Sequence, residues 1–264
     1  MPPSLFIENP FSFQGEIYAA LLNSTTKLPD SGWWWLGNVP KGEIVPKVER
    51  RTKKESWSGE RQTSRTAIKS REYSANFTVE DLHKDNIAVG LLGKKVTTAG
   101  GAITNEQHGT LAVGSVVKLK NPNASSIALT DSTPVTPLVP VLNTDYKILD
   151  AKHGLIEILS LGAFVQPFKF AYTAAATLVV TGMNADDSNE YAFYCKLINT
   201  EDAPDQAIGF ELFRVQIDPT QLLAIINEDQ GSLDISATGL RHNTHAADTE
   251  RGGYFRWIYV DANN

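Results

Sequence analysis

The sequence predicts a mainly β protein: a β-sandwich or barrel of two packed antiparallel sheets with one flanking α-helix. Three observations carry this. Short runs rich in β-branched and aromatic residues recur between turn signals along most of the chain. Tyr73, Ala75, Phe77 and Val79 alternate with the polar Glu72, Ser74, Asn76 and Thr78, the period of a half-buried strand. One stretch, Thr78 to Leu92, has a strong helical start and an apolar second half.

Taken in order, residues 1–14 hold Pro2, Pro3 and Pro10 among scattered aromatics and read as an extended arm. Gly15 to Leu22 reads as a short strand. Trp33-Trp34-Trp35-Leu36-Gly37-Asn38-Val39 is aromatic and β-prone, and Pro40-Lys41-Gly42 punctuates it. Glu43 to Arg50 can continue as a strand, in which Pro46 asks for a bulge or an edge position. Residues 50–65 read as a long charged loop with one large apolar residue, Trp57, and a loop of that length in a compact domain needs a reason.

Ala67 to Phe77 is strand-like. Thr78 opens the predicted helix, its hydroxyl and the Asp81 carboxylate forming a capping box, and Gly93 is a natural stop. Residues 94–145 form a candidate insertion. Within it Leu111 to Leu119 is a strand candidate, and Asn121 to Pro140 reads as a surface excursion. Tyr146 to Asp150 and Leu155 to Leu159 flank Ala151-Lys152-His153-Gly154, a hairpin in which Gly154 takes the left-handed position. Phe164 to Tyr172, Ala176 to Thr181, Tyr191 to Ile198, Phe210 to Ile217, Ser232 to Leu240 and Tyr254 to Val260 complete the strands. Asp218-Pro219 is an N-cap followed by an N1 proline, so Thr220 to Ile226 is expected to make one or two helical turns.

Composition narrows the function. The chain has 264 residues, 42% hydrophobic and 20% charged, enough for one large all-β domain or two small ones; we read 1–264 as one domain. Net charge is −6, which argues against a nucleic-acid binder as a whole. The charge is uneven: residues 41–72 carry ten Lys/Arg against five Glu, a local +5, leaving −11 elsewhere. Such a run is either a solvated loop or a positive arm that docks on a negative surface. The single cysteine, Cys195, alternates with Tyr191, Phe193 and Leu197 and reads as a packed thiol. No signal peptide and no membrane span is legible, so synthesis in a cytoplasm without membrane insertion is expected.

No catalytic constellation is legible, and neither an enzyme nor a cofactor is expected. His242 and His245, with Asp248 and Glu250, have a loose metal-ligand look but read better as a solvated loop. Asp186-Asp187-Ser188-Asn189-Glu190 lacks the spacing and central Gly of a calcium loop. Thr98-Ala99-Gly100-Gly101 is no phosphate loop, and His83 reads as a surface or interface side chain. Trp33, Trp34 and Trp35 are core or interface aromatics, or else a sugar-stacking platform, which would make this a carbohydrate- or receptor-binding sandwich.

In order and texture these pieces resemble the tail tube (major tail) proteins of long-tailed bacteriophages. The resemblance rests on Trp33 to Val39, the charged stretch after it, the Thr78-Val79-Glu80-Asp81-Leu82 start of the predicted helix, Asp145-Tyr146 with Gly154-Leu155-Ile156, and Phe213 to Pro219 followed by Glu228-Asp229-Gln230-Gly231 and Leu233 to Ala237. It covers most of the chain; residues 94–145 are longer than that family's compact core. It implies a virion protein whose six copies close into a ring, with rings stacked head to tail into a hollow tube. Arg50, Arg51, Lys53, Lys54, Trp57, Arg61 and Arg65 would then dock on the adjacent ring. The implied partners are further copies, a tape measure protein and double-stranded DNA in the lumen, and tail terminator and tail tip proteins at the ends. Four strands from each of six copies, about 4.8 Å apart and tilted roughly 40°, would leave a bore of roughly 40 Å, wide enough for duplex DNA.

Overall fold

The alternating stretch at Tyr73 to Val79 is where sequence pattern and burial agree most directly: those four apolar residues are at most 3% exposed, and the polar ones between them face out. The chain was analysed as a computed structural model describing residues 10–30, 32–185, 189–201 and 207–260. It is mainly β, with several antiparallel sheets and, among the described residues, one α-helix. It divides into two units, the first comprising described residues of 1–94 and 180–264 and the second Lys95–Val179.

The first unit opens with β1 (Phe13–Leu21), β2 (Trp34–Trp35), β3 (Lys41–Lys54), β4 (Thr63–Val79) and α1 (Lys84–Gly90). The second holds β6 (Gly101–Gln107), β7 (Val116–Lys118), β8 (Ala124–Thr130), β9 (Tyr146–Asp150), β10 (Leu155–Ile158) and β11 (Lys169–Ala174), while β5 (Lys94–Thr98) and β12 (Thr177–Thr181) run across its two boundaries. The chain then completes the first unit with β13 (Tyr191–Asn199), β14 (Ala207–Asp218), β15 (Leu233–Gly239) and β16 (Phe255–Tyr259).

An eight-stranded sheet organises the first unit in the order β2-β1-β13-β14-β15-β4-β3, with β16 also on β14. β14 is long enough to serve two neighbours along one edge: Ile208 to Leu212 pair with β16, and Val215 to Asp218 with β15. Ile17, Phe193, Leu212, Val215, Leu233 and Ile235 join Tyr73 and Phe77 in one core. α1 covers it with Ala88 and Val89. Cys195 is 5% exposed in that core, and burial pushes its thiol up to about 12. Pro46 does lie on the edge strand, where a missing N–H costs nothing.

Four expectations are corrected here. The helix does not start at Thr78. β4 keeps pairing with β15 through Val79, and the Thr78 hydroxyl donates to Asp234 (2.8 Å) across that ladder. Asp81 caps nothing in the helix; its carboxylate accepts the Asn38 N–H (2.6 Å), and His83 occupies the cap position. Residues 50–65 are not a long loop, because β3 and β4 stay paired out to Lys54 and Thr63 and only Glu55 to Gln62 turn. Thr220 to Ile226 is irregular rather than helical. Residues 1–9 of the expected arm lie outside the described residues, and Phe13 and Gln14 already belong to β1.

The second unit has its own core of Leu119, Leu129, Ile156, Ile158, Phe168 and Phe170. Two three-stranded sheets, β7-β10-β9 and β6-β11-β8, supply it, and β5 pairs with β12 in a two-stranded ribbon. The insertion runs past 145 because the partners of its first half lie in its second: β6 and β8 flank β11, and β7 pairs with β10. Asn121 to Pro140 is not all excursion, since β8 lies within it and buries Leu129. The β9–β10 hairpin has the expected form, with Gly154 at φ +69°.

Candidate functional site

β4 is anchored to β15 only through Ser74 to Val79. Beyond Tyr73 its one neighbour is β3, so Lys47 to Glu72 form a two-stranded arm roughly 25 Å long before the turn. No residue of this arm is buried: all are exposed except the half-buried Glu55, Ala67 and Ser70. That explains why the sequence hid it. Period-two hydrophobicity reports one buried face, and a ribbon solvated on both faces has no such signal.

Register sorts the predicted docking residues onto two faces. Arg51 and Lys53 are two apart on β3, and Arg65 sits directly opposite Lys53, so these three cations share one face with Ala67. Arg50 points to the other face, opposite Ile68. Lys54 lies past a register shift at the end of the strand, and Trp57 (77% exposed) and Arg61 are in the turn. Like charges placed opposite each other destabilise a bare ribbon. Among the described residues none of Arg51, Lys53 and Arg65 has a carboxylate partner; the arm's own ion pair is Lys69 with Glu49, 2.8 Å. Lysines also blunt a sheet edge against unwanted pairing, a role these cations can fill as well.

The aromatic run divides differently. Trp34 packs edge-on against Tyr191 (6.3 Å) and donates its indole N–H to Asn86 (3.2 Å). Trp33 and Trp35 are 46% and 54% exposed. Trp33 stands over Tyr194 and, with Tyr18, Lys196 and Glu211, borders an open cleft of about 490 Å³. The Tyr18 hydroxyl and then the Lys196 ammonium hold the Glu16 carboxyl below its usual range beside this cleft. No pattern in the amino-acid order marked Asn86, which is fully buried and ties Trp34, the Leu36 carbonyl and the Asp81 carbonyl together.

His242 is not in a solvated loop. It is 3% exposed, stacks on His245 at 3.7 Å and meets the Lys27 carbonyl. Burial, then His242 and Arg251, pull the His245 value down. Among the described residues no group of three or more His, Cys, Asp or Glu converges as a metal site. Asp186, Asp187 and Ser188 lie outside the described residues, whereas Glu190 is buried in a two-bond pair with Arg214 (2.5 and 2.6 Å) and reached by Lys27 (3.1 Å). Asp145 and Tyr146 begin the β9–β10 hairpin of the second unit, and no helix among the described residues is long and apolar enough to cross a membrane.

A family model described as "Protein of unknown function UCP028589" matches residues 10–258. The chain belongs to that family. The span of the UCP028589 family model takes in the basic arm, the tryptophan run and the whole of Lys95–Val179. No curated protein matches the chain.

Proposed function

We propose that this chain is the repeating structural subunit of a bacteriophage tail tube, a virion protein whose homohexameric rings stack head to tail around a lumen that conducts DNA. The observation that carries the reading is the arm from Lys47 to Glu72, whose two strands pair only with each other among the described residues, its base touched by the Tyr254 hydroxyl on the Arg71 carbonyl (3.2 Å). A lone two-stranded ribbon is marginal in water. This one adds an unpaired cationic face, which an acidic surface on another copy would neutralise. The net −11 outside residues 41–72 is the charge on which such a surface would draw. Two different, complementary surfaces make a contact that repeats without closing on itself, the geometry of a stack. In this reading the large sheet forms one layer of a tail-tube-like sandwich, with α1 flanking it. The tape measure protein and DNA occupy the lumen, and terminator and tip proteins cap the ends.

The register selects the test: Arg51→Glu, Lys53→Glu and Arg65→Glu together, on the one face they share. Wild-type protein is expected to form rings and tubes in negative-stain images. The triple variant should melt at the wild-type temperature but not stack. Tubes growing normally from the variant, or a wild type that stays monomeric at every concentration, would defeat the reading. The exposed Trp33, Tyr18 and Tyr194 cleft favours a second reading, a carbohydrate-binding sandwich; sugar binding by a persistent monomer, abolished in Trp33→Ala, would establish it instead.

A further inference from the structure

Two imidazoles lie face to face in the connection from β15 to β16. His242 and His245 are 3.7 Å apart and 19° from parallel, and His242 is 3% exposed. Their bonds fix both tautomers. The His242 Nδ1 accepts the His245 backbone N–H (3.2 Å), so its proton sits on Nε2, which donates to the Lys27 carbonyl (3.2 Å). The His245 Nε2 accepts from the Arg251 guanidinium (3.0 Å), so its proton sits on Nδ1, a buried atom with no partner among the described residues.

Each ring therefore gives its unprotonated nitrogen to a donor, and a second proton breaks a bond. On His242 it would displace the His245 N–H; on His245 it would face a guanidinium. Two charged rings stacked at this distance would also repel each other. The charges around the pair give no relief. The loop after β1 brings Lys27 and Asp30, the strands and their ends bring Glu190, Glu211, Arg214 and Arg256, and the connection itself brings Arg241, Asp248, Glu250 and Arg251. Glu190 is committed to Arg214 and Lys27, Glu211 to Arg256 (2.7 Å), Asp248 to Arg251 (3.7 Å) and Asp30 to Asn23 (3.2 Å), while Glu250 is exposed.

The pair joins two segments that no strand ladder connects among the described residues. One is the loop from Asn23 to Asp30, whose Lys27 sits in the left-handed region at φ +58°. The other is the connection 241–253, closed on itself by the His242 N–H donating to the Gly253 carbonyl (2.7 Å). A cavity of about 150 Å³ is lined by Leu28 and Pro29 of the loop, by His245 and Arg251 of the connection, and by Phe213, on which His245 packs edge-on (4.7 Å).

We propose that the stacked histidines are an acid-released latch: neutral, they hold the 23–30 loop to the 241–253 connection, and protonation frees both segments and opens the cavity they line. Burial, then His242 and Arg251, already hold the His245 value below the ordinary histidine one. A released imidazole titrates near ~6.5 and the closed pair resists the proton, so the latch holds above that pH and weakens as pH falls below it. The latch is independent of the tube reading, since a monomer would show it equally.

Hydrogen exchange of the full chain at about pH 7.5 and about pH 5, corrected for intrinsic rate, tests it. Amides of 23–30 and 242–253 should exchange about 10-fold faster at the lower pH, because a released imidazole is then almost wholly protonated. β13 and β14 should not change. The wild-type imidazole NMR resonances should titrate over the same range. His242→Gln with His245→Phe keeps a donor toward Lys27 and a ring on Phe213 without a titrating group, so it should exchange alike at both values. The proposal fails if the wild-type segments do not respond, if β13 and β14 open with them, or if the imidazoles stay neutral while exchange rises. It fails too if the folded variant still responds, which would assign the effect to Glu190 or another carboxylate. Should the variant not fold, the comparison of imidazole titration with exchange in the wild type decides.

Discussion

Asn86 shows how one side chain can tie the tryptophan run to the turn before the helix. Its amide donates to the Leu36 carbonyl (2.8 Å) and the Asp81 carbonyl (2.9 Å), and its oxygen accepts from Trp34. Beside it, Gly37 sits at φ +85°, and a Cβ there would lie 2.0 Å from the Asp81 carboxylate that binds the Asn38 N–H. The Leu36-Gly37-Asn38 run is therefore a docking loop for the start of the helix. Asn86→Ala should cost about 2–4 kcal/mol, since it strands two carbonyls and an indole N–H out of water. Urea denaturation measures this; a cost under about 0.5 kcal/mol would mean water replaces the amide. The tryptophan run was legible as important, but the residue that organises it was not, because an asparagine inside an apolar helix carries no pattern of its own.

At the scale of elements, the basic ribbon and the loop after β8 are held in contrasting ways. The ribbon has its internal ladder, the Lys69–Glu49 pair and, at its base, the Tyr254 hydroxyl donating to the Arg71 carbonyl (3.2 Å). The loop from Asp131 to Leu138 is organised by one carboxylate. Burial alone would raise the Asp131 value, but the Thr133 side chain and the N–H groups of Val165, Thr133 and Leu138 outweigh it and hold the group at about 2. An unfolded aspartate titrates near ~3.9. The folded value is lower, so this carboxylate contributes stability above about pH 4, and the contribution disappears as pH falls toward 2. Asp131→Asn should therefore melt below wild type at pH 7, with the gap closing as pH approaches 2. A gap that does not change with pH would exclude the ionised carboxylate as the cause. The helix teaches a related lesson. Thr78 and Asp81 have the spacing of a capping box, yet both side chains serve other strands, because a ladder with β15 that includes Val79 outcompetes one extra helical turn.

The whole molecule is two cores on one chain. Lys95–Val179 encloses its own buried Leu119, Ile156, Phe168 and Phe170, and every strand in its two three-stranded sheets finds its partners within the stretch. A stretch of that size can bury enough apolar surface to fold alone, though marginally. Expressed by itself, 95–179 should give dispersed NMR amide signals and a cooperative melt. The remaining chain, closed by a short Gly-Ser link between Lys94 and Val180, should keep its own melt. A 95–179 fragment without a cooperative transition would show that the two cores are energetically one. The first unit's basic arm is exposed along nearly its whole length, and Leu222, Ile225 and Ile226 stay 78, 91 and 93% exposed.

The amino-acid order alone determined the β-rich class, the buried alternation at Tyr73 to Val79, the β9–β10 hairpin with its left-handed Gly154, the packed Cys195 and the basic character of residues 41–72. Each is local: a period, a turn residue or a charge count within a dozen or so positions. Only the tertiary structure decided that the basic stretch is a paired ribbon, that Arg51, Lys53 and Arg65 share a face while Arg50 does not, that the insertion closes at 179, and that Thr78 and Asp81 bond across to other strands. Those outcomes depend on which distant segments meet. Strand pairing is a choice between partners far apart in sequence, and the backbone hydrogen bonds that settle it are the same for every residue type.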